Sequence, residues 1–294
     1  MSKMYTTKFV PSPFREGWSV FKRHIISNIG LVSLALILIL TLLGPWIAPY
    51  DYSTQHSDAF LQPPSWYAQG SHRFIVGTDD LGRDLLSRIL FGAQLTIGSA
   101  LVAIIFSILL GVTVGCITAF LPRSIKLVFL RILDVFLALP SLLLAILLIA
   151  AFGSGLAQAT LAVTIALTVY FMRFSHDLVV AEMKKDYVKA ATLDGASSYF
   201  LVGRIIMPNV IERLAIQTTL SFSSAILDIA ALGFLGLGAA PSSPEWGTLL
   251  SESLDYFQIA PWTITLPGFA IFITVLTINL VGEGLRSALD PTKY

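Results

Sequence analysis

Apolar residues fall in long, nearly charge-free blocks separated by short polar stretches. A helix needs roughly 20 mostly apolar residues to span a bilayer core. The first block, residues 29–48, carries no charge and closes on Gly44-Pro45-Trp46. Further blocks run from about 95 to 121, 135 to 152, 156 to 171, 214 to 237 and 262 to 281. Gly153-Ser154-Gly155 parts the third block from the fourth and predicts a tight helical hairpin. The pattern therefore predicts an all-α polytopic membrane protein with six transmembrane helices. The first block exceeds a signal-peptide core and follows 28 mostly polar residues, so it is expected to remain as an anchor.

Cations set the orientation. Sixteen of the 19 Lys and Arg residues lie in the N-terminal segment, the links 2–3 and 4–5 and the C-terminal tail, against Arg73, Arg83 and Arg88 on the other side. By the positive-inside rule, both termini face the cytoplasm. The expected division is a cytoplasmic segment 1–28, a first helix 29–48, a periplasmic loop 49–92, a five-helix core 93–285 and a cytoplasmic tail 286–294. The core includes a cytoplasmic loop, 173–213.

Composition narrows the function. Only 13% of residues are charged and mean hydropathy is +0.78, unlike a soluble enzyme. A net charge of +1 gives no basic excess for nucleic acid. The single cysteine, Cys116, forms no internal disulfide, and His24, His56, His72 and His176 lack metal-ligand spacing.

Two extramembrane stretches carry candidate chemistry. From Thr78 to Leu90 the sequence reads as a helix capped by Thr78, with leucines on one face and Arg83, Asp84, Ser87 and Arg88 on the other. Asp84 and Arg88 are spaced as an i,i+4 pair. The face is either a docking surface at the outer mouth of a path or a helix lying flat on headgroups. On the inner side, a short helix about Tyr187, Lys189, Ala190 and Ala191 precedes a turn at Asp194-Gly195. A second helix is expected to follow and to end near Pro208. Small residues at such a tip suit insertion into a partner's groove.

These residues carry a resemblance. Ala190-Ala191-x3-Gly195-x9-Ile205-x-Met207-Pro208 resembles the EAA loop of ABC-importer permeases, with Lys189 in place of Glu and Met207 in place of Leu. The blocks 77–88, 225–238, 244–248 and 279–291 resemble C-type permeases of the dipeptide/oligopeptide subfamily, in order along almost the whole chain. Leu193–Ser197 and Ala260–Thr263 look most like the Sap branch, and other blocks look equally like the dipeptide permeases. The resemblance implies a type I ABC-importer permease architecture in a bacterial inner membrane. It implies a homologous B-type permease subunit, two cytoplasmic ATPase subunits and a periplasmic solute-binding protein as partners, beside membrane lipid. ATP and Mg are then bound by the ATPases. This subunit has no phosphate-loop signature and is expected to hold no cofactor and to catalyse nothing itself. The implied cargo is a di- or oligopeptide or an antimicrobial peptide. Related permeases also carry nickel, haem or polyamines.

Two acids border the apolar blocks. Asp134, three residues after Arg131, is expected in a local ion pair. Asp228 lies deeper, where a carboxylate is costly, and either lines the path or accepts a hydrogen bond at the subunit interface. A secondary transporter coupled through Asp228 would need inverted repeats, and none is visible.

Overall fold

The computed structural model describes residues 25–289. The apolar blocks form α1 (Ile25–Ile47), α2 (Leu85–Ala119), α3 (Arg123–Leu137), α4 (Ser141–Phe152), α5 (Leu156–Met183), α7 (Ser198–Phe234) and α9 (Trp262–Leu289). Two short helices lie outside them, α6 (Asp186–Leu193) and α8 (Trp246–Glu252). α1, α2, α5, α7 and α9 are each long and apolar enough to cross a membrane, and the bent pair α3–α4 brings the number to six when taken as one broken span. Alternation then puts residues 48–84 and 235–261 at one end of the bundle, called the outer end after the orientation that the cations predict. α6 and both ends of the described chain lie at the other, the inner end. Residues 1–24 and most of the tail 286–294 lie outside the described part.

The third span is not the straight helix expected over 135–152. α3 and α4 meet at 95°. Pro140 is the cause, since its ring disfavours helical geometry at Leu139 while fitting the start of α4. α4 has 12 residues, about 18 Å, too short to cross alone. Asp134 at the end of α3 pairs with Arg173 of α5 at 3.2 Å, not with Arg131. The bend turns it toward α5.

Small residues let α2 and α5 pack in parallel. Ala100, Ala103, Ala159 and Ala162 are fully buried, and Ser107 Oγ donates to the Thr164 carbonyl at 2.9 Å. A Cβ on Gly115 would lie 1.9 Å from Ser175 Oγ, so only glycine permits that approach.

The helix expected to end near Pro208 instead continues unbroken to Phe234. Pro208 has no N–H to return to the preceding turn. Here it opens the regular part of α7, directly after a π-helical turn at Leu201–Ile206. The fifth crossing therefore begins in the inner loop rather than at residue 214.

Candidate functional site

At the outer end, the stretch expected as helix from Thr78 is a tight loop, and α2 begins only at Leu85. Gly77 and Gly82 have φ of +89° and +71°, which a right-handed helix excludes. Asp79 Oδ1 accepts the N–H groups of Leu81 and Arg83 at 3.0 and 2.8 Å, fixing the turn. Thr78 accepts from Gln62 N–H at 2.8 Å rather than from a helix. The cap is Asp84, whose Oδ2 accepts from Ser87 N–H at 2.9 Å.

This geometry also removes the expected exposed polar face. Arg83, Asp84 and Arg88 are buried. Arg88 pairs not with Asp84 but with Asp79 at 2.7 Å and Glu252 at 3.0 Å, and Arg83 joins the same two acids at 2.6 and 3.2 Å. Glu252 Oε1 accepts from Ser242 N–H at 2.8 Å. Five charged and polar groups thus clamp residues 77–88 onto the segment between α7 and α9. Burial and the neighbouring Asp79 charge push Asp80, at the rim, above the usual carboxylate range. Behind the clamp, fully buried Glu245 accepts from Thr96 Oγ1 at 2.8 Å and from the N–H groups of Gly247 and Thr248 at 3.0 and 2.9 Å. Burial pushes its carboxyl up despite these donors.

At the inner end, α6 carries the residues singled out in the sequence. Gly195 has φ +85°. Ala196 N–H donates to the Ala191 carbonyl at 3.0 Å and Gly195 N–H to that of Thr192 at 3.1 Å, which is a Schellman stop. Val188 anchors α6 in an apolar cluster with Cys116 and Ala119 of α2 and Val210 of α7. Tyr187 OH donates to buried Glu182, which Lys185 also meets at 2.9 Å. Burial and then that hydrogen bond push the Tyr187 hydroxyl up to about 12. Lys189 forms a solvent-exposed pair with Asp186 at 3.0 Å, so the reversed charge at the tip adds little stability. Ala190 faces solvent, and Pro208 lies inside α7, away from the tip.

Sequence reasoning missed the most exposed apolar groups here: Leu193 at 88%, Tyr199 at 94% and Phe200 at 53% exposure. Their signal was present, as large apolar residues on both sides of a glycine turn in a polar stretch. Glu252 and Glu245 were missed as well. Both act across more than 140 positions, a separation no local pattern encodes. Asp228 sits half-buried on α7 beside Ser141 of α4. Among the described residues, no group of three or more His, Cys, Asp or Glu is arranged to hold a metal ion.

The architecture is a bundle of membrane-length apolar helices, clamped at one end and presenting the small helix α6 at the other. The chain belongs to the family of binding-protein-dependent transport system inner membrane components, matched over residues 107–293. Residues 12–64 match the N-terminal TM domain of oligopeptide transport permease C. The di/tripeptide transport system permease DppC of Pseudomonas aeruginosa is 45% identical, covering 96% of this chain and 93% of that protein. DppC of Escherichia coli K12 is 42% identical over 99% and 97%, and the peptide transport permease SapC of E. coli O6:H1 is 43% identical over 97% of each. The fold is shared with a chain of the inward-facing MetNI methionine ABC transporter. That match has a TM-score of 0.57 and 17% identity over 68% of this chain and 96% of the other.

Proposed function

We propose that this chain is one half of a heterodimeric inner-membrane pore that passes peptides, powered by ATPase subunits seated on the α6 end. A B-type permease completes the pore, and a periplasmic binding protein delivers the cargo. The observation that carries this reading is the exposed apolar surface of Leu193, Tyr199 and Phe200 around a helix stopped by a fixed glycine turn. Exposed apolar patches of this kind mark surfaces that a partner covers. The peptide cargo rests on relatives named for dipeptides and peptides, of which DppC and SapC proteins stand equally near. The buried Arg83 and Asp84 do not themselves offer a docking face. The binding protein would meet exposed groups of the same loop, such as Phe60, Trp66 and Tyr67.

The test is uptake of a labelled dipeptide by proteoliposomes holding the complete transporter. Uptake should require ATP inside and the binding protein outside. Gly195→Val introduces a strained left-handed residue at about 1–3 kcal/mol, and Ala191→Trp adds bulk where Ala191 packs on the cluster that seats α6, which shifts the helix. Both variants should insert normally and lose ATPase-subunit binding or coupled uptake. Uptake driven by an ion gradient without ATP would point to a secondary transporter and sink the proposal.

A further inference from the structure

Midway along the bundle, a cavity of about 300 Å³ opens between the start of α4, the middle of α5 and α7. Apolar groups form most of its wall, but one stripe is polar. Gln217, Ser221 and Ser224 of α7 line it, spaced by four and three residues and so sharing one helix face. Gln217 lies within hydrogen-bond reach of Tyr170 on α5, and its amide donates to Ser221 at 3.4 Å. Asp228 continues the same face one turn further toward the outer end, beside the hydroxyl of Ser141. Tyr170, Ser141 and Ser224 are exposed, Gln217 and Asp228 are half-buried and Ser221 is buried beneath them, so the stripe opens away from the rest of the chain at Ser224, Gln217 and Asp228.

Asp228 lies deeper than the other acids on these helices, since Glu212 and Glu283, which likewise have no ion-pair partner among the described residues, sit toward the opposite end of the bundle. Asp134 has Arg173 at 3.2 Å, and Glu182 has Lys185 at 2.9 Å. Among the described residues no cation lies within ion-pair distance of Asp228, whose polar neighbour is the neutral Ser141. A carboxylate at membrane depth is unfavourable unless a cation or several donors meet it. Within the peptide reading of the chain, the cargo itself supplies one. A dipeptide carries an α-ammonium group at one end and amide groups behind it.

We propose that the α7 face Gln217–Ser221–Ser224–Asp228 is the peptide-facing wall of the path. Asp228 takes the α-ammonium of the passing peptide, and the Ser224 hydroxyl and the Gln217 amide, held by buried Ser221, meet the peptide backbone. The assignment rests on the proposed peptide function and adds a residue-level subsite to it. A hydroxyl and amide stripe suits cargo of varied side chain, because it addresses only the groups common to every peptide. It also accounts for a carboxylate without a protein cation, since a permanent partner would hold the site shut.

The test uses the complete transporter in proteoliposomes and labelled Ala-Ala. Uptake, binding-protein-stimulated ATP hydrolysis and recovery of the assembled complex are measured together. Asp228→Asn should lower uptake about tenfold or more, the loss of one charged hydrogen bond, while stimulated hydrolysis is retained. Asp228→Glu should restore most of the uptake. Ser224→Trp, which adds bulk at an exposed position of the stripe, should block uptake in an assembled complex. Wild-type uptake in Asp228→Asn or Ser224→Trp overturns the site and leaves the peptide function standing. An Asp228→Asn complex that fails to assemble assigns the residue to packing and overturns the site as well. Failure of the wild-type complex to move Ala-Ala overturns both readings.

Discussion

Glu245 shows how narrowly a single buried side chain is specified at the outer end. Each carboxylate oxygen accepts a backbone N–H, Oε1 from Gly247 at 3.0 Å and Oε2 from Thr248 at 2.9 Å. In Glu245→Gln the side-chain NH2 must therefore face one of two N–H groups, neither of which can reverse. The expected loss is about 1–3 kcal/mol, read as a lower midpoint of thermal unfolding in detergent. Glu245→Asp, too short to reach Thr96, should also lose stability. An unchanged midpoint in Glu245→Gln would show that the network is looser than its distances imply. A Cβ on Gly233 would lie 2.1 Å from Glu245 Oε2, so the glycine opposite belongs to the same site.

At the scale of elements, the clamp joins the start of α2 to the end of α8 through Arg88 and Glu252. Removing Glu252 leaves two buried arginines sharing Asp79, at a cost of up to about 3–5 kcal/mol. Glu252→Ala should accordingly loosen residues 77–88, measured as faster amide hydrogen exchange there, with α6 unaffected. Slow exchange retained in 77–88 would mean that Asp79 alone holds both arginines. The elements also show what a sequence reveals. Apolar runs located the crossings, and Asp194-Gly195 marked the stop of α6, because both signals are local. The start of α2 was misplaced because Thr78, Asp79 and Asp80 resemble a helix N-terminus, whereas their bonding follows from contacts with residues 59–62. The bend at Pro140 was legible as a proline but not as an angle, which packing against α5 sets. The clamp was invisible, since Arg88 and Glu252 are 164 positions apart.

At the scale of the whole molecule, alternating crossings put the residue 48–84 segment and α6 at opposite ends, and the cation distribution predicts that α6 faces the cytoplasm. Gln69→Cys should react with an impermeant thiol reagent applied to intact cells, and Lys189→Cys should react only after permeabilisation. Native Cys116 is buried and gives little background. The reverse pattern would invert the assigned topology.

One feature spans both ends. α2 runs unbroken for 35 residues, with Arg88 in its first turn and Cys116 and Ala119 in the cluster that seats α6. From Arg88 to Ala119 the rod is about 46 Å long. Turned as a rigid lever about its inner end, it sweeps the outer end sideways by about 4 Å for every 5° of tilt. That stroke exceeds the 2.7 and 3.0 Å contacts Arg88 makes with Asp79 and Glu252. A tilt of that size at the α6 end therefore either carries the whole outer lid along with α2 or tears it open.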